Sequence, residues 1–213
     1  MISKTLKDMK KKIITIEDFI DKEKSVLKSK TQRLTFPLSE EDKNIIILMK
    51  EILFALDGVG LAAPQIHINK NIAVIYIPET ASLLRNNAKI YPMHTIINAE
   101  YEPVKDQGKY SDFEACYSVK TICGQVPRYN IIKVKYQNEE GLEISKIETG
   151  FYARVLQHEI DHLNGVLITD VLTPDCLQGT FEEMAKLRRE SLTEEKKILF
   201  DKLVKKKNLK QKD

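Results

Sequence analysis

The residues best suited to chemistry lie in "QHEIDHLNG", positions 157–165. His158 and His162 are four apart, so on a helix their imidazoles project from one face, one turn above the other. Two neutral imidazoles at that spacing can bind one small divalent cation at about 2.0–2.1 Å. Glu159 points in another direction and can stand beside the open coordination position, where it takes a proton from water. A catalytic centre of this kind uses three protein ligands. A third histidine three residues beyond Gly165 would complete one such set, but that position is Ile168.

Two candidates for the third ligand remain. Glu182 lies downstream and would complete a zinc endopeptidase. Cys116, in "DFEACYSV", lies far upstream just before expected strands, and one cysteine with two histidines is an accepted catalytic set. The other cysteines, Cys123 and Cys176, form no CxxC pair with it and are read as buried thiols. His67 and His94 lack ligand spacing and are read as structural or surface residues.

A second stretch, "GVGLAAPQ" at 58–65, follows a helix and precedes a strand. That is the reverse of the order a phosphate-binding loop needs. Gly58 and Gly60 instead imply close approach of another group to the backbone. Gln65 ends the turn with a side chain that both donates and accepts.

The elements that must position these groups can be read from pattern. Ser39 caps a helix over 39–57, with acids in the first turn and apolar residues from Ile45 to Leu56 at helical spacing. "PQIHI" and "NIAVIYI" read as a hairpin, and 79–92 as a loop. "HTIINAEYEPV", "QVPRYNIIKVKYQ" and "LEISKIE" read as strands, with Ile132, Val134 and Tyr136 alternating against Lys133 and Lys135. Thr149 caps a helix over about 150–163 that Asn164-Gly165 stops. A short helix is expected around 16–28 and a long charged one over about 179–206. Turn-length connections favour antiparallel pairing. The fold class is therefore α+β: mostly antiparallel strands around a central helix bearing H-E-x-x-H, with a C-terminal helix.

The chain has 213 residues, 42% hydrophobic and 31% charged, which suits one soluble domain over 1–213. An N-terminal extension covers about 1–23 and a basic tail about 202–213, "KLVKKKNLKQKD". That tail reads as a solvated end or as a foot for an acidic partner. Net charge is +3, too mild to imply DNA. No apolar run reaches the roughly 18 residues of a membrane span, and "MISKTLKDMKKK" is not a secretory signal, so cytoplasm is expected.

"GVGLAAPQ", "EACYS" and "QHEIDH", in this order and at these separations, resemble the peptide deformylase family. "TIINAEYEP", "GQVPRYNIIKVKY" and "GFYARVLQHEIDHLNGVL" extend the likeness over about 24–172. The resemblance implies a metal-dependent hydrolase that takes the formyl group from nascent formyl-methionyl polypeptides during protein biosynthesis. It implies Cys116, His158 and His162 as metal ligands and Glu159 as general base and acid. Gln65 and the backbone N–H of Tyr117 become oxyanion donors. The ion the resemblance implies is the family's usual ferrous iron, with zinc, nickel or cobalt as substitutes. Phe151, Arg154 and Val155, on the face of His158, together with Val59 and Gly60, become the substrate slot. Some family members dock on the ribosome through a basic tail.

The middle motif departs from the family's usual E-G-C-L-S: Ala115 replaces Gly, Tyr117 replaces Leu, and Lys120 stands where Pro is common. If position 115 needed positive φ, Ala115 would cost about 1–2 kcal/mol. The expectation is a formed site with altered rate or specificity. A deformylase-like protein that binds rather than cleaves is the non-catalytic alternative.

Overall fold

The structure, a computed structural model, describes residues 13–86 and 88–210. Residues 1–12, with the start of the expected extension, and 211–213, the end of the basic tail, lie outside them.

Helix α1, Glu40–Leu56, begins as its sequence dictates. Ser39 Oγ accepts the Asp42 N–H at 3.1 Å, and Asp42 Oδ2 accepts the Ser39 N–H at 3.3 Å. This reciprocal cap satisfies donors the helix cannot. Asp57, in the left-handed region at φ 50°, ends it. Its buried face, including Ile45, Leu48, Met49 and Leu53, packs on Leu61, Ile72, Val74 and Ile97.

Eight strands follow: β1 Gly60–Ala62, β2 Ile72–Ile77, β3 Tyr91–Pro103, β4 Lys109–Cys116, β5 Val119–Tyr129, β6 Ile131–Gln137, β7 Glu143–Thr149 and β8 Gln178–Gly179. They form an antiparallel sheet ordered β1-β2-β3-β6-β7 and a smaller one ordered β4-β5-β8. The alternation expected in β6 holds, with Ile132, Val134 and Tyr136 buried and Lys133 and Lys135 exposed.

Helix α3, Gly150–Leu163, follows β7 and touches strands of both sheets. Its buried residues Tyr152, Ala153, Val155, Leu156, Ile160 and Leu163 share one core with Ile75, Ile96 and Val134. Gly165, at φ 75°, stands at the stop the sequence marks. The remaining α-helices are α2 Glu79–Leu84, α4 Ile168–Val171, α5 Phe181–Glu190 and α6 Glu194–Lys210.

Six expectations are corrected. "PQIHI" is a 3-10 turn over Ala63–Ile66, because Pro64 has no N–H and the Gln65 side chain accepts the Ala62 N–H; the first arm of the hairpin is β1. Residues 79–92 hold α2 and the start of β3. "QVPRYNIIKVKYQ" breaks at Asn130, and its halves join different sheets. Residues 16–28 form three 3-10 turns, not one helix. Thr149 makes no side-chain capping bond. The long last helix breaks at 191–193, where Ser191 ends α5 and acids at Glu194 and Glu195 start α6.

Candidate active site

Two elements bring the three donors together. β4 delivers Cys116 at its end, and α3 presents His158 and His162 one turn apart. The ligating atoms of these three residues lie within 4.8 Å of one another. Cys116 Sγ is 3.2 Å from His162 Nε2, and the two imidazoles meet edge to face with centroids 5.0 Å apart. Cys116 and His162 are buried, and His158 is half-buried. Burial, with the charges of His158 and Arg128, holds His162 well below its ordinary pKa, so it is neutral as a ligand must be. Burial also opposes a charge on His158, but the Cys116 and Glu114 acceptors outweigh it and raise its pKa. A metal displaces such a proton.

The surroundings fit a cation. Glu159 Oε2 is buried without a hydrogen-bond partner. Such an orphan marks a site completed by water, ion or substrate. Burial raises the Glu159 carboxyl to about 7. Gly60 makes room for it: a Cβ there would come within 2.2 Å of Glu159 Oε1, which is the close approach its sequence implies.

Gln65 is fixed at both ends. Its Oε1 accepts the Ala62 N–H at 2.9 Å, and its Nε2 faces Ser118 Oγ at 3.3 Å and Cys116 Sγ at 3.8 Å. The first bond decides which way the amide points. Tyr117 donates its hydroxyl to the Leu56 carbonyl at 3.1 Å, so the side chain ties the loop to the end of α1.

Ala115 brings no backbone strain. Among the described residues the non-glycine positions with positive φ are Asp57, His67, Asn86 and Asn98. Lys120 has a use for its N–H, which donates to Glu17 at 3.1 Å.

The sequence reading missed Glu114. Its Oε2 pairs with His158 Nδ1 at 3.0 Å and with Arg128 at 3.0 Å, while its Oε1 takes Arg154 at 2.6 Å. Burial alone would raise its pKa, but His158 and Arg128 hold it far below the ordinary carboxylate range. A carboxylate on the remote imidazole nitrogen fixes tautomer and ring orientation. Arg128 also pairs with Asp161, whose carboxylate accepts from Tyr101 at 3.2 Å.

The expected substrate residues divide. Val59 and Phe151 line a cavity of about 440 Å³, along with Gly58, Glu114 and Ala115. Val155 is core, and Gly60 is committed to Glu159. Arg154 is a correction. It is 6% exposed and spends its guanidinium on Glu114, the Val126 carbonyl and the Tyr110 carbonyl, so an acid is its partner and it does not line the cavity. Glu182 is also corrected: it lies exposed on α5 and outside the donor group, which removes the endopeptidase ligand set. His67 is exposed, and His94 bonds the Pro92 carbonyl and the Tyr152 hydroxyl, as structural residues do. Cys123 is buried, whereas Cys176 is only half-buried, beside Thr173.

Two imidazoles from one helix, one thiolate from a strand and an adjacent buried carboxylate define a class of metal-dependent hydrolase centre. The polypeptide deformylase family model matches residues 11–177. Peptide deformylase 2 of Rickettsia conorii is 36% identical over 186 residues, covering 85% of this chain and 91% of its own. Peptide deformylase of Staphylococcus epidermidis is 33% identical, covering 75% and 92%. The crystal structure of peptide deformylase from Thermotoga maritima superposes with a TM-score of 0.63 at 33% identity, over 76% of this chain and 97% of that one. The chain belongs to the polypeptide deformylase family.

Proposed function

We propose that this chain removes the N-terminal formyl group from formyl-methionyl polypeptides and releases formate. The observation that carries the reading is the convergence of Cys116, His158 and His162 within 4.8 Å beside the buried Glu159, in a member of this family. Residues 1–213 are read as one domain, with the H-E-x-x-H helix at its centre.

Cys116, His158 and His162 would hold one divalent ion, which when bound polarises the formyl carbonyl and acidifies water. The family resemblance favours ferrous iron, with zinc, nickel or cobalt as substitutes. Glu159 takes the proton of the attacking water and passes it to the leaving amine. As the water adds, before the amine leaves, negative charge collects on the formyl oxygen. The Gln65 amide and the backbone N–H of Tyr117 donate to it, and fixed donors of this kind are worth about 3–4 kcal/mol each. Because the Ala62 N–H already orients Gln65, little reorganisation is needed. Glu114 keeps His158 facing the ion. Val59 and Phe151 bound the slot for the methionine side chain.

Metal content tests the ligand set. Wild type and Glu159→Ala should each hold about one ion per chain, and Cys116→Ser should lose it. Full metal content in Cys116→Ser would refute the assignment.

The ribosome is the proposed partner of the basic end, since rRNA is polyanionic. Support comes from α6, whose Lys202 and Lys205 are exposed. Co-sedimentation with ribosomes that survives removal of 202–213 would count against it.

A further inference from the structure

The cavity beside the site is walled in part by residues beyond the family match. That match ends at residue 177, yet Phe181, Met184 and Arg188 of α5 and Phe200, Leu203 and Val204 of α6 all line the cavity. Val59, Phe151 and Ala115 line the same space, and Ala115 is next to Cys116. The C-terminal helices and the flank of the donor cluster therefore share one volume. About 440 Å³ lies in the range of pockets that bury a whole small ligand, more than one side chain.

The wall is fastened in place. Arg188 donates to the Leu84 carbonyl at 2.7 Å, pairs with Asp112 at 3.6 Å and covers the Phe113 ring at 5.5 Å. Arg189 holds Asp201 through bonds of 2.8 and 2.9 Å, which ties α5 to α6. Phe200, Leu203 and Val204 fall three and four apart, so one face of α6 meets the cavity while Lys202 and Lys205 are exposed. The two guanidiniums of the lining, Arg85 and Arg188, are both paired with Asp112. The lining these helices offer is thus mostly aromatic and aliphatic.

We propose that α5 and α6 form a second subsite, for the residue that follows the methionine, and that it selects an apolar side chain. The inference rests on the deformylase reading. It makes the C-terminal helices a specificity-determining part of the molecule.

The test pairs binding with turnover. Binding of Met-Leu-Ser and Met-Ser-Ser is measured by calorimetry to wild type, Leu203→Ser and Leu203→Trp, alongside formate release from the corresponding formyl peptides. Wild type should prefer the leucine peptide by about tenfold. Leu203→Ser should remove most of that preference by weakening the leucine peptide. Leu203→Trp, which fills the space, should reverse it. An unchanged preference in both variants would overturn the proposal. So would an equal gain for both peptides, which would identify the helices as a lid. Altered binding preference with no formate release would leave the subsite standing and sink the deformylase reading. Formate release with unaltered preference would do the opposite.

Discussion

Glu159 stands over Gly60 with one carboxylate oxygen unpartnered, and burial raises its carboxyl to about 7. A general base must be ionised, so turnover falls as pH drops through that pKa. A bound cation favours the charged form and draws the limb downward. The expected acid limb in kcat/KM therefore lies between the ordinary 4.5 and about 7; a flat profile across that range would contradict the role. Stability runs the other way. The folded pKa exceeds the unfolded one, so the folded chain holds the extra proton between them, and stability falls as pH rises through that window. Metal-free Glu159→Gln should then melt above metal-free wild type at pH 8. At this scale His158 and His162 were legible because helical spacing is local, whereas Cys116 was singled out over Glu182 only by the family resemblance. Glu114 was not legible, because its partners Arg128 and Arg154 come from β5 and α3. Its place two residues before Cys116, as the unchanged first residue of the "EACYS" motif, was the signal that could have flagged it.

The loop after Cys116 depends on elements distant in sequence. Ile14 N–H donates to the Gln65 carbonyl and Ile16 N–H to the Ser118 carbonyl, each at 2.9 Å. Glu17 Oε1 accepts the Lys120 N–H, the Thr121 N–H and the Thr121 hydroxyl at 3.0–3.2 Å. A proline at 120 would have no N–H to give, so the departure at Lys120 serves the N-terminal segment. Glu17 thus anchors the N-terminal segment, which bonds the carbonyls of Gln65 and Ser118, and is expected to position the loop through it. Glu17→Ala should lower kcat about tenfold with KM little changed and the fold intact, since small displacements cost much in catalysis. Glu17→Gln, which keeps an acceptor, should recover most of it. A kcat equal to wild type in Glu17→Ala would contradict the role. Helices α1 and α3 were legible because apolar spacing and stop signals agree along their length. Helix α2 was not, since six residues carry too little periodicity to stand out from a loop.

At the scale of the whole molecule, the antiparallel α+β pattern followed from strand runs and short turns. The division into two sheets did not, because Asn130 separates β5 from β6 without a strong turn signal. The charged C-terminal helix was legible, with its basic end from 202 read as a solvated end or a foot, but the partner of its apolar face was not: Phe200, Leu203 and Val204 place α6 against the cavity, a contact set by residues far away in sequence, while Lys202 and Lys205 stay exposed. The local backbone and contacts at Ala115 and Tyr117 also depend on context. One carries no positive φ, and the other's hydroxyl is tied to Leu56.

This chain is proposed to deformylate peptides through Glu159 at a Cys116–His158–His162 metal centre. Formate release from formyl-Met-Ala-Ser by anaerobically purified protein tests it most directly, with Glu159→Ala as the control. Wild type should release formate steadily, and the variant at least about a hundredfold more slowly. Release by wild type no faster than by Glu159→Ala, with metal bound in both, would contradict it.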